Sequence, residues 1–432
     1  MAPLQKQKIG LLGSTSVVVG NMIGSGIFLL PASLAIYGGI GIIGWICSAL
    51  GAILLSLMFA ELGQYAPDTI GGPYVFSRMG LGDFAGFLVA WGYWIAIWST
   101  NAAIAVALVG YLKVFFPILD SSVPLAVGTG LGFLWLFTWI NSKPLKTVAS
   151  VQIITTILKV VPLFLIGLVG FFYINWDHFT PFNLSEESNF TAITNSATLT
   201  LFAFLGMESA VIVSGDTKDA KDTVRKSTII GTLITIVVYL LSAVAIMGII
   251  PPESLVKSNA PFADAAEIFI GPSARYVIAG CAVIATLGAL NGWILLQGRI
   301  PMAAAIDDLF PRVFAKENDN GSPFIGIVLS SILASVLMVF SFADSLVEAF
   351  TFMITLSTLS TIIPYLFSAG SLAIIGFQSD GPQVSKKIVL ASVTFAFCLW
   401  LLYGCGQEIV FYGFFLLMLG IPFYAYLKRR NS

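Results

Sequence analysis

The sequence predicts an all-α polytopic membrane protein of twelve transmembrane helices, and three observations lead there. First, 57% of its 432 residues are hydrophobic and only 10% charged, with a mean hydropathy of +0.94, where a soluble domain carries about 25% charged residues. Second, a helix needs roughly 20 apolar residues to cross a bilayer. Such stretches occur near 10–35, 40–63, 84–112, 123–141, 148–174, 191–213, 227–250, 276–298, 324–342, 346–375, 388–404 and 409–427. Third, with both termini placed inside, seventeen of the 21 Lys and Arg fall in inside loops, while Lys113, Lys257 and Arg275 fall outside and Lys159 lies within a span. That asymmetry follows the positive-inside rule and would collapse if one helix were miscounted.

Composition also narrows the function. A net charge of -1 offers nucleic acid no attraction. Cys47, Cys281, Cys398 and Cys405 sit in or beside apolar stretches, so no disulfide framework is expected. His178 is the single histidine, which leaves no His-based metal cluster. We expect no cofactor and no enzyme, and without an ATP-binding motif, transport would run on gradients or exchange. Lys6 and Lys8 precede an apolar run that outlasts a signal peptide, so helix 1 is expected to be retained.

Span 1 contains Gly20-Asn21-Met22-Ile23-Gly24-Ser25-Gly26-Ile27-Phe28. Glycine is a poor helix former, so the helix should weaken at mid-membrane depth, where a break survives only if it lines a cavity. Two half-helices meeting at Gly24-Ser25-Gly26 would turn free N–H groups and a positive dipole end toward that cavity, a site for a carboxylate. The glycines also fit a second reading, a small-residue face for close helix packing. Span 3 carries Asn101 and span 10 Ser357, polar at similar depth; they could complete a pocket or bond a neighbouring helix.

Lys159 lies about eleven residues into span 5, on the order of 16 Å at 1.5 Å per residue, too deep to snorkel. It needs carbonyl partners, either as a group that releases a proton or as a fixed internal cation holding the Met22 and Ile23 carbonyls. Span 6 is interrupted by Gly206-Met207-Glu208-Ser209. Glu208 there is a candidate proton carrier, because desolvation disfavours a carboxylate's charged form, or a structural group bonded across the break. In span 8, Asn291-Gly292-Trp293 places an indole away from either interface, where it could pack or hold a cation by a cation–π contact. Residues 302–311 read as a short amphipathic helix or, by preference, a simple connector ended by Pro311.

Breaks five spans apart point to an inverted repeat, since an odd number of spans flips its topology. The chain would then be a single transmembrane transport domain, 1–432. Its repeats would cover about 10–174 and 191–375, with helices 11 and 12 at about 388–427 appended.

On these residues the chain resembles the amino acid–polyamine–organocation superfamily, most closely the bacterial arginine/agmatine antiporters. The likeness runs from Gly20-Asn21-Met22-Ile23-Gly24-Ser25-Gly26 through Leu201–Ala210 and Gly292-Trp293 to Pro364-Tyr365. It implies a leucine-transporter-like fold, a 5+5 inverted repeat with broken helices 1 and 6. It further implies that Ser25 and the Gly26 amide take the carboxylate, and that the carbonyls of Met22, Phe202 and Leu205 take the α-amino group. Trp293, Asn101 and Ser357 with the Ala96 and Ile97 carbonyls would form the distal pocket. Tyr93, Glu208 and Tyr365 resemble the inner gate, with Trp293 as a gate across the pocket. Those antiporters have tryptophan at Phe202 and a small apolar residue at Lys159; a lysine there looks like the proton-coupled permeases and the exchangers of neutral amino acids of the superfamily.

The expectation is therefore an antiporter of the bacterial inner membrane, exchanging a cationic amino acid for its decarboxylated amine by alternating access. The alternative is a proton-coupled amino acid permease for neutral or broad substrates, using Lys159 or Glu208. Expected partners are the bilayer, an amino acid or amine and, as a candidate homodimer, a second copy.

Overall fold

The computed structural model of the chain describes residues 8–67, 69–143, 145–341, 346–378 and 384–431. Lys6 and the side chains of Lys146 and Arg430, counted above among the inside charges, lie outside the described residues. In order the helices are α1 (Leu11–Met22), α2 (Ser25–Leu34), α3 (Ile40–Leu62), α4 (Pro73–Leu81), α5 (Asp83–Leu112), α6 (Ile118–Ser121), α7 (Val123–Asn141), α8 (Leu145–Gly170), α9 (Asn189–Phe204) and α10 (Ser209–Ile212). They continue with α11 (Ala220–Ile249), α12 (Pro252–Leu255), α13 (Pro261–Phe269), α14 (Pro272–Ile306), α15 (Phe324–Ser341), α16 (Leu346–Phe377), α17 (Val384–Gly404), α18 (Gln407–Met418) and α19 (Gly420–Asn431).

Ten segments among the described residues are long and apolar enough to cross a membrane, against the twelve expected. The two that fall short have plain causes. Span 6 is cut by its own break into α9 and the single turn α10, and the apolar part of α15, Phe324–Phe340, falls short of the roughly 20 residues a crossing helix needs. Residues 302–306 are not a separate interfacial helix: α14 runs through Pro301 to Ile306, and only 307–311 connect. The sequence also gave no hint of α4, whose Pro73 opens it with the preset φ of a first helical position.

Large apolar side chains stand outward on the long helices, among them Leu12 at 79%, Phe172 at 82% and Phe340 at 80% exposure. Such surfaces suit lipid rather than water, so this is an integral membrane protein. Inside, two groups of helices form. The halves α1 and α9 pack with α3 and α11, while α5 packs with α7, α14 and α15; α8 and α16 bridge the groups.

Polar contacts define two ends. At one end the backbone of Ile9 pairs with Asp216 and Lys218, and Arg78 reaches Asp307 at 2.8 Å and Asp83 at 2.9 Å. Lys428 joins Asp83 at 3.4 Å, so both chain ends share this face. The opposite end holds α12, α13 and the pairs Lys113–Asp120 and Arg275–Glu267, each 2.9 Å.

Candidate functional site

A helix that stops inside a membrane leaves its last carbonyls without intrahelical partners, and no water replaces them. α1 stops at Met22 because Ile23 is extended and Gly24 has φ −142°, ψ −139°. Three other helices then supply a donor each. Lys159 of α8 donates its ammonium to the Gly20 carbonyl, Trp293 of α14 its indole Nε1 to Asn21 at 3.1 Å, and Tyr239 of α11 its hydroxyl to Met22. Lys159 thus meets Gly20, not the Met22 and Ile23 carbonyls, because the Gly20 oxygen is the first whose helical donor the break removes.

The second break is built on Gly206, whose φ of +105° a side chain would strain. A Cβ there would also stand 3.0 Å from the Asn21 backbone, so the two breaks touch. Tyr239 spans them: the hydroxyl that bonds Met22 also donates to the Ala203 carbonyl at 3.1 Å. Asn21 ties them again, donating to Ser209 Oγ at 2.8 Å while its own Oδ1 accepts from Gln152 at 3.2 Å. Both expected uses of the glycines are realised. Gly24 lies in the break, whereas a Cβ on Gly20 would sit 2.4 Å from Gln152 Nε2 and one on Gly26 2.9 Å from Ala203 Cα.

Between the breaks lies a small cavity. Its walls include Met22, Ser25, Gly26, Phe202, Leu205 and Trp293 of the expected set, together with Asn21, Gly24, Thr100 and Ile104. Ser25 Oγ is buried and has no hydrogen-bond partner among the described residues. It stands in the first turn of α2, where free amides and the dipole favour an anion.

Ala96, Ile97, Asn101 and Ser357 stand behind this wall rather than in it. Ser357 Oγ bonds Thr100 Oγ1 at 2.5 Å and the Ala96 carbonyl at 3.0 Å. Asn101 donates to Gln297 Oε1 at 2.7 Å, and its Oδ1, an acceptor, is buried and unpartnered among the described residues.

Glu208 lies fully buried in the second break, accepting from Tyr93 and, at 3.1 Å, from the Gly206 amide. Tyr365 is brought beside the same carboxyl, but its hydroxyl has no partner of hydrogen-bond geometry among the described residues. Tyr93 and Tyr365 therefore meet at Glu208 in the second break, whereas Trp293 stands in the cavity wall. Tyr239 and Gln152 were missed. A lone tyrosine in mid-span 7 was the available signal, lost among the 13% of aromatic residues.

Broken helices facing one another across a partly polar cavity are the construction of secondary transporters. The chain belongs to the amino acid permease family, whose pattern matches residues 9–422. Among its relatives, an arginine/ornithine antiporter of Pseudomonas aeruginosa is 33% identical over 427 residues, covering 94% of this chain and 88% of the relative. A cadaverine/lysine antiporter of Escherichia coli is 31% identical, covering 97% and 95%. A putative arginine/ornithine antiporter of Bacillus subtilis is 35% identical, covering 84% of each chain.

Proposed function

We propose that the protein is a secondary antiporter exchanging a cationic amino acid, arginine-like, for its decarboxylated amine, agmatine-like, by alternating access. The observation that carries this reading is the unpartnered Ser25 Oγ in the cavity wall, at the start of α2, whose amides offer further donors for a carboxylate. Asn101 Oδ1, an acceptor without a donor among the described residues, lies on α5 next to the wall residue Thr100. Relatives named for arginine, ornithine, lysine and cadaverine share a distal cationic group, which agrees with such an acceptor.

The fold completes the proposal. Twelve spans in a 5+5 inverted repeat, 10–174 and 191–375, are supported by the way α8 meets α1 as α16 meets α9. The group with both broken helices would rock against the group around α5 and α14. The gate would be Tyr93, Glu208 and Tyr365, with Trp293 above it. By the positive-inside rule the face with both termini is cytoplasmic, the bilayer is the bacterial inner membrane, and a homodimer is the proposed assembly.

Counterflow into proteoliposomes tests exchange directly. We expect no uptake of labelled arginine until arginine or agmatine is loaded inside, and no change in an internal pH dye. Robust uptake with proton influx into empty vesicles would replace this reading with the proton-coupled permease acting through Lys159 or Glu208. The distal group is tested by calorimetry on Trp293→Leu. It should weaken agmatine by about 1–2 kcal/mol through the lost cation–π contact, and a neutral amino acid by less; equal losses would remove the cationic pocket.

A further inference from the structure

A second cavity, walled mainly by apolar surface, opens between α1, α8, α14 and the segment after α10, toward the face that carries the termini. Gly292, Leu295, Leu296 and Arg299 line one face of α14 within it, at the i, i+3, i+4 and i+7 positions of a helix. Asn21 walls both this cavity and the central one, and the adjacent Gly292 and Trp293 of α14 line one each, so the two border one another.

Arg299 is 5% exposed, and its Nη1 is buried without a hydrogen-bond partner among the described residues. Its ion contact, Nη2 to Asp216 Oδ2, measures 3.9 Å, beyond hydrogen-bond length. A buried guanidinium is costly unless its donors are met, and its planar fork suits a carboxylate in bidentate geometry. Asn21 and Gln152 are the neutral polar groups of the same wall, and they are engaged with each other.

We propose that this cavity is a second substrate site on the path between the central chamber and the terminus-bearing face, where Arg299 takes the carboxylate of the amino acid. It deepens the antiporter reading and rests on it. A decarboxylated amine has nothing for the guanidinium to hold, so it is held more weakly. Asp216, the one carboxylate among the described residues of the wall, meets ammonium groups of both substrates and does not discriminate between them. The site therefore makes the two faces unequal: the amino acid is retained on this side, and the amine less so.

The test measures half-saturation for arginine and agmatine in right-side-out and inside-out vesicles carrying the full chain. Arg299→Gln should raise the arginine value at the terminus-bearing face about tenfold, leaving agmatine and the opposite face unchanged, with Arg299→Lys in between. Equal weakening of both ligands, weakening at both faces or no change would overturn the proposal. A measurement independent of exchange uses maleimide labelling of Leu295→Cys, with propionate and propylamine as probes. Propionate should slow labelling only while Arg299 is present. Such protection in a protein that exchanges nothing would sink the antiporter reading and keep the site; labelling unaffected by propionate would remove the site.

Discussion

Valine in place of Gly26 is expected to abolish substrate binding. Gly26 stands in the first turn of α2 and in the cavity wall, facing the other broken helix. A Cβ there would lie 2.9 Å from Ala203 Cα and 3.3 Å from the Phe202 ring. Backbone cannot yield as a flexible side chain can, so α2 must shift away from α9. That shift displaces Ser25 and the amides that face the cavity, and the branched methyl groups intrude on its small space. The measurement is binding of labelled arginine to detergent-solubilised protein, with size-exclusion chromatography to establish that the variant remains folded. Wild-type affinity in a monodisperse Gly26→Val protein would place the site elsewhere.

Tyr239→Phe carries the second large effect. The change removes one oxygen and no apolar volume, yet it uncaps the Met22 and Ala203 carbonyls together. Both residues are buried, at 2% and 1% exposure. An orphaned buried acceptor costs about 1–3 kcal/mol, while polar contacts in membranes average nearer 0.6 because the unfolded state finds partners too. A loss of about 2 kcal/mol is therefore expected, with a clear fall in thermal midpoint. Exchange should fall as well, because the same hydroxyl keeps the two breaks in register. An unchanged midpoint and exchange rate would show that the bridge carries no weight.

Lys159 and Tyr239 illustrate what the chain alone could and could not disclose. A cation about halfway into an apolar run announces itself, and the need for carbonyl partners follows from its charge. Which carbonyl it meets does not follow, since the Gly20 oxygen is freed by the exact residue at which α1 stops. Tyrosine is unremarkable in an apolar span, and its role appears only when α11 is laid across both breaks. The same holds for Arg299, read from the sequence as one more inside charge and found to be buried against a cavity.

The sequence by itself determined that the chain lies in a membrane, where most of its long helices are, and where two of them break, because hydropathy, glycine and charge act locally and need no partner to be read. It also marked Ser25, Gly26 and Trp293, which line the central cavity, while Phe202 was expected only from the family resemblance. Only the tertiary structure decided how the broken ends are satisfied, that Asn101 and Ser357 stand behind the wall, and that a second cavity borders the first at Asn21. Most of those outcomes depend on contacts between residues far apart in the chain, 139 positions for Lys159 and Gly20 and 272 for Trp293 and Asn21. In lipid, where every freed carbonyl must find a donor, the packing of the helices selects which side chain arrives.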